Sequence, residues 1–198
     1  MRVVVNPGHS TTDPGAIGPT GLTEAEVVRA VAQRLVALSD SRLGYEPKRQ
    51  AGTGTGLSVL LKTLRLNPPD LVVSLHCNAG SATSDQCHVY WWREDSDARR
   101  RLDSSRLAGL VAMEVESPEH QVAKRGRVLS APYARADDPH FVPGILRYTA
   151  KRAVVLVELG FITNPMIETA MATDVYQQHA AEALDAAIRE WSADFIPA

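Results

Sequence analysis

The chain has 198 residues, 44% of them hydrophobic, and a formal net charge of −2. That is enough apolar material for a sizeable core and favours a single domain over residues 1–198, while the near-neutral charge excludes the broad basic face of a general nucleic-acid binder. No stretch reaches the roughly 18 apolar residues of a membrane span, and the opening MRVVVNPGHS falls short of a signal-peptide apolar region. Synthesis as a soluble cytoplasmic chain without stable membrane insertion is therefore expected.

In chain order, the first apolar run predicts a strand over Val3–Asn6. Thr23 can then cap a helix whose apolar positions Val27, Val28, Val31, Leu35 and Leu38 recur at helical spacing. A second helix is expected from about Leu57 to Leu66, stopped by Asn67-Pro68-Pro69. Strands follow over Leu71–His76 and His88–Trp92. Arg99–Val115 reads as a third helix with Leu102, Leu107, Leu110 and Val111 on one side, and its Arg99-Arg100-Arg101 run as a solvated helix face. The segment Pro118–Pro143 has no sustained period and holds Gly126, Pro132, Pro139 and Pro143, which suggests an irregular wall beside a site. Ala153–Glu158 gives a further strand and Val175–Trp191 a last helix burying Ala180, Ala183, Leu184, Ala187 and Ile188.

Apolar runs alternating with amphipathic stretches predict an α/β fold, a three-layer α/β/α sandwich around a mostly parallel mixed sheet of about six strands. The VVV and AVVLV runs are continuous rather than alternating, as expected of strands covered on both faces. Cys77 and Cys87 lack the spacing of a disulfide framework or a structural zinc site and are read as two reduced thiols on neighbouring strands. Trp91 and Trp92 are read as strand residues, one in the core and one at a rim, with stacking on a sugar or packing against a stem peptide as the functional alternative.

Ligands of open α/β sheets bind beyond the carboxyl ends of the strands, so polar residues that follow apolar runs are the candidates. Val3–Val5 runs into Asn6-Pro7-Gly8-His9, Leu71–Leu75 into His76, and Val154–Val157 into Glu158. The loop Asp13–Gly21 is glycine-rich and folds back to bring Glu24, in the first turn of the first helix, toward His9. Taken singly, each histidine could be an ordinary hydrogen-bonded residue, and Glu24 a carboxylate favoured by the helix dipole. Glu158 is harder to explain that way, because a carboxylate closing five apolar residues is costly to bury unpaired. Together, two imidazoles and one carboxylate suit a catalytic Zn2+ with a fourth position for water, and a second carboxylate can move that water's proton.

NPGHSTTDPGAIGPTGLTE resembles the opening signature of the zinc-dependent N-acetylmuramoyl-L-alanine amidases, VVSLHCNA resembles their second, and VLVELGFITNP their last. The three stand in the family's order and cover residues 3–165. The resemblance implies hydrolysis of the amide between the lactyl group of N-acetylmuramic acid and the L-alanine of the stem peptide in peptidoglycan. It makes His9, Glu24 and His76 the zinc ligands and Glu158 the acid–base residue, with Asn78, Asn164 and the Gly144–Arg147 segment, including Arg147, shaping the substrate site. The chain departs from the pattern at Asn6, where aspartate is commoner, at Ser10-Thr11-Thr12, at Lys48-Arg49 and at Cys87, which bear on substrate preference rather than reaction type. A zinc peptidase or deacylase, or a wall-binding module without activity, would be the alternatives. The glycine loop and ELGFITNP favour the amidase over the first, and the full set of four chemical residues disfavours the second. Reaching the wall would then depend on release from the cell, by a holin-type route or by lysis, as for a phage endolysin; a host autolysin or a fragment of a larger cell-wall hydrolase would read the same.

Overall fold

The computed structural model describes residues 1–47, 55–132, 142–147 and 149–195, with the side chains of Thr55 and Gly56 outside the description. The Lys48-Arg49 pair and the 133–141 part of the expected wall lie outside the described residues. The elements in order are β1 (Arg2–Pro7), α1 (Glu24–Ala37), β2 (Gly44–Pro47), α2 (Thr55–Leu66), β3 (Leu71–Asn78), β4 (Gln86–Trp92), α3 (Ala98–Glu116), β5 (Arg125–Ala131), a 3-10 turn (Gly144–Leu146), β6 (Ala153–Phe161), α4 (Pro165–Met171) and α5 (Asp174–Ser192). The six strands form one mixed sheet in the order β2-β1-β3-β6-β4-β5. Only the β4–β6 pair is antiparallel. Among the described residues no helix is long and apolar enough to cross a membrane.

The period-2 alternation of side chains divides the sheet into two unlike faces. Val3, Val5, Val73, Leu75, Val155 and Val157 point into the larger core, which α1, α3 and α5 cover. Val4, Val72, Val154 and Leu156 point the other way, into a smaller core with Leu60 and Leu64 of α2 and with Ile145 and Leu146. Both faces of β1 and β6 are thus dry, which is why their sequences are continuous apolar runs. Farther along the second face the apolar side chains stop, and Asn6, Ser74, His76, Glu158 and His88 take their place in the alternation.

Thr23 caps α1 in a complete capping box, accepting from the Glu26 amide while its own amide donates to the Glu26 carboxylate. This fixes the start of the helix whose first residue is Glu24. The buried stripe of α3 runs through Leu107, Ala108, Val111, Ala112 and Val115. Leu102 is 65% exposed, a correction to the stripe expected from sequence. The three arginines at the start of α3 are tied down rather than merely solvated: Arg99 pairs with Asp103, Arg100 with Asp95, and Arg101 donates to the Asp95 carbonyl. Trp91 and Trp92 are both half-buried, one against each core. Cys77 and Cys87 are free thiols buried in the larger core.

Three elements escape the sequence reading. β2, Gly-Tyr-Glu-Pro, is a four-residue edge strand ending in proline, and β5 is an edge strand with a single buried residue, so neither carries a continuous apolar run. The segment read as an irregular wall therefore contains a strand, preceded by turn and bend over residues 118–124. α4 is only seven residues long, too short for a helical period to show.

Candidate metal centre

His9 lies two residues beyond β1 in the left-handed region, at φ 61°, a conformation uncommon for a residue with a side chain and found mostly where surrounding structure enforces it. Gly8 before it has no room for a side chain, because a Cβ there would stand 2.3 Å from the His76 ring. His76 projects from β3, directly in register with Glu158 on β6. The two imidazoles meet edge to face with centroids 5.2 Å apart.

Between them sits the buried carboxylate of Glu24. Its Oε1 is 2.9 Å from His76 Nδ1 and accepts from the Cys77 amide, while its Oε2 is 3.2 Å from His9 Nε2 and accepts from the Ala16 amide. Two backbone donors therefore fix the carboxylate independently of the histidines. Asp13 Oδ2 lies 3.1 Å from His9 Nδ1, an ion-pair distance without hydrogen-bond geometry among the described residues.

The electrostatics follow from this packing. Burial alone would raise the Glu24 pKa, but the hydrogen bonds from His76, His9 and Ala16 overcome it and hold the carboxyl well below the usual carboxylate range. The Glu24 hydrogen bond, aided by Asp13, lifts His9 to about 9 against the opposing effect of burial. Glu158 moves the other way, to about 7, chiefly because burial disfavours its charge and the nearby Glu24 adds repulsion, with His76 and His9 partly opposing. Its Oε2 is buried with no hydrogen-bond partner among the described residues.

These donors suit a divalent cation. The donor atoms of His9, Glu24 and His76 all lie within 4.8 Å of one another. Two donors each about 2.0–2.1 Å from a tetrahedral zinc ion stand about 3.3 Å apart, close to the 3.2 and 2.9 Å found between Glu24 and the two histidines. A carboxylate faced by two imidazoles is also a place that demands positive charge, which protons alone supply only by raising the His9 pKa.

The remaining sequence candidates are placed differently. Asn78 closes β3 and its Oδ1 accepts from the Ala79 amide, leaving Nδ2 to donate to His88 Nδ1 at 3.1 Å. Asn164 is the N-cap of α4, accepting from Met166 and donating to the Ser84 carbonyl, so its described bonds are structural. Arg147 is exposed just after the 3-10 turn, and its carbonyl accepts from Arg65 of α2. No described contact ties it to the cluster. The neighbouring Ile145 and Leu146 do pack beneath the second face, against the strand that carries Glu158.

His88 enters the sequence reading only as the start of a strand, not as a site residue. On β4 it is the direct antiparallel partner of Glu158, so the two side chains leave the same face of the sheet. The Asn78 donor makes Nδ1 the acceptor and puts the ring proton on Nε2, 3.3 Å from Gln86 Oε1. Burial, with Arg127 adding, keeps this ring below the usual histidine pKa.

A mixed α/β sheet that gathers a His–Glu–His donor set and a protonatable carboxylate at its strand ends defines a hydrolase site of the kind that activates water. The chain belongs to the N-acetylmuramoyl-L-alanine amidase family, whose sequence profile matches residues 3–190. It is an amidase acting on peptidoglycan. It is 28% identical to the uncharacterized protein YqiI of Bacillus subtilis (strain 168) over 184 residues, 92% of this chain and 80% of that one. It is 23% identical to the N-acetylmuramoyl-L-alanine amidase AmiC of Neisseria meningitidis over 221 residues, 96% of this chain but 52% of AmiC. The fold matches the catalytic domain of CwlV, an N-acetylmuramoyl-L-alanine amidase from Bacillus (Paenibacillus) polymyxa var. colistinus, with a TM-score of 0.74 at 22% identity, covering 96% and 97% of the two chains.

Proposed function

We propose that the chain cleaves the amide between the lactyl group of N-acetylmuramic acid and the L-alanine of the stem peptide with a zinc ion held by His9, Glu24 and His76. The observation that carries the reading is Glu158: a half-buried residue with one buried carboxyl oxygen that has no partner among the described residues, in register with His76 and raised to about 7 in the metal-free chain. A zinc ion bound there supplies acidity to water and polarises the scissile carbonyl.

The chain's own residues do the rest. Glu24 is fixed by the Ala16 and Cys77 amides, so it keeps its place whatever its partners do. Asp13 places a carboxylate 3.1 Å from His9 Nδ1, on the side of the ring away from Glu24. Glu158 takes the proton of the attacking water on its carboxylate and returns it to the L-alanine nitrogen as the C–N bond breaks. Burial, with Arg127 adding, favours the neutral form of His88, the cross-strand partner of Glu158, so this ring adds little positive charge that would hold the carboxylate ionised.

Purified protein is expected to carry about one zinc per chain and to lose activity in a strong chelator. Digestion of purified peptidoglycan should release stem peptides with new L-alanine amino termini and leave the glycan strands intact. New reducing ends without new alanine termini would refute the bond assignment, and full activity without metal would refute the zinc reading.

A further inference from the structure

Glu168 is a carboxylate on α4 that is only 1% exposed, and its described hydrogen bonds come from one place. Oε1 accepts from the Thr20 amide at 2.8 Å, the Thr20 hydroxyl at 2.9 Å and the Leu22 amide at 3.2 Å, while Oε2 accepts from the Thr20 amide at 3.0 Å. All three donors belong to the tip of the loop between His9 and Glu24. That loop is a small hairpin. The Glu24 amide donates to the Ala16 carbonyl, Ile17 bridges Thr23, and the Gly18 amide donates to the Leu22 carbonyl. At its base, the Ala16 amide holds Glu24 Oε2. Gly18 lets the clamp close, since a Cβ there would stand 2.3 Å from the Glu168 carboxylate.

The geometry points to Glu168 as a positioning residue for the metal centre: by gripping the hairpin tip it fixes the base that aims the Glu24 carboxylate, and so sets how tightly the cation is held. The inference rests on the reading of Glu24 as a metal ligand. A merely solvated or space-filling role would not require a buried carboxylate to collect three donors from one turn, because burying that charge without them is costly. The arrangement also couples the two halves of the site, since α4 follows directly on β6, the strand that carries Glu158.

The test is the zinc dissociation constant, measured by competition with a chromogenic chelator on the full chain, together with melting temperature. Outer-sphere substitutions at metal sites typically weaken binding about 10–100-fold. Glu168→Ala should reach that range, and Glu168→Gln, which keeps one acceptor oxygen, should fall about tenfold. Gly18→Ala, which forces the clamp open from the loop side, should weaken zinc in the same direction. Tyr176→Phe removes a buried hydrogen bond to the Leu159 carbonyl without touching the hairpin, so it should lower melting temperature and leave zinc affinity unchanged. Activity lost by Glu168→Gln at low free zinc should return when zinc is added. If Glu168→Ala fails to fold, Glu168→Gln and Gly18→Ala decide the matter. Parental zinc affinity in both would overturn the inference, whatever their stability. A parent chain that binds no zinc would instead sink the metal reading, and this one with it.

Discussion

Replacing Glu158 by glutamine keeps the shape of the side chain and removes its ability to carry a proton, so turnover and stability should move in opposite directions. General acid–base groups contribute about 10²–10⁴-fold, and the variant should lose activity in that range while keeping its zinc. Stability is worked from burial. In the metal-free protein the carboxyl titrates at about 7 rather than its ordinary 4.5. A group raised in this way is neutral and costs nothing below its unfolded pKa, then destabilises the fold progressively as pH climbs to its folded value. Fully developed, that cost is of the order of 3 kcal/mol. The glutamine amide still needs partners and gives back roughly 1–2 kcal/mol. In chelator at pH 8 the variant should therefore melt higher than the parent, by roughly 2–8 °C for a domain of this size. At pH 5, where most of the charge cost is gone but the amide penalty remains, the advantage should disappear and the variant should melt no higher than the parent. The assays are metal content, turnover on purified peptidoglycan and melting curves at the two pH values. Near-parental turnover would refute the acid–base role, zinc loss would make Glu158 a ligand, and a lower melting temperature at pH 8 would refute the burial argument.

Other outcomes follow from the same geometry. In chelator, stability should decline as pH rises from about 5 to 9, because Glu158 becomes charged between 4.5 and about 7 and His9 loses its favourable proton between 6.5 and about 9. Glu24, held low, loses its contribution only as pH falls below its ordinary 4.5. The rise in melting temperature produced by zinc should thus grow with pH over that upper window, and a rise that shrinks would contradict the donor set. Gly8→Ala would put a Cβ 2.3 Å from the His76 ring. It should cost about 1–3 kcal/mol of stability and weaken zinc together, and calorimetry with chelator competition would reveal either effect missing. Burial raises the pKa of both thiols, so Cys77 and Cys87 should resist Ellman's reagent until the chain is unfolded. Rapid labelling of the native protein would show that the larger core is open.

The site was legible in the sequence where chemistry sits at the end of an apolar run. His76 and Glu158 terminate strands whose two buried faces leave an unbroken apolar sequence, and Glu24 follows a threonine whose capping role can be read from Thr23 and Glu26 alone. His88 was not legible, since nothing in Gln-Cys-His-Val-Tyr says that this strand enters antiparallel beside β6. Its place opposite Glu158 is a fact of topology. Glu168 was hidden for a related reason: its partners lie 146 and 148 residues away, and the helix that carries it has only seven residues. Asn164, by contrast, was visible but took a structural task, capping that same short helix. Edge strands β2 and β5 are covered incompletely, so selection for apolar character at alternate positions is weak there.

The division of the sheet into two faces explains why so large an apolar investment serves so small a site. On the first face apolar side chains continue to the strand ends, through Leu75 and Cys77 on β3 and Val157 and Leu159 on β6. On the second they give way after Val72 and Leu156, and the Ser74 hydroxyl donates to buried Asn6 Oδ1 at 2.9 Å, forming a polar step before His76 and Glu158. A one-residue slip of either strand would exchange the faces, driving an imidazole or a carboxylate into the larger core and turning a valine out. Such a slip is opposed by every buried residue on both faces at once. The register that pairs His76 with Glu158 is therefore held by the core rather than by the polar contacts between the site's own residues, and Glu158 can leave one carboxyl oxygen without a described partner and not loosen the strand that presents it.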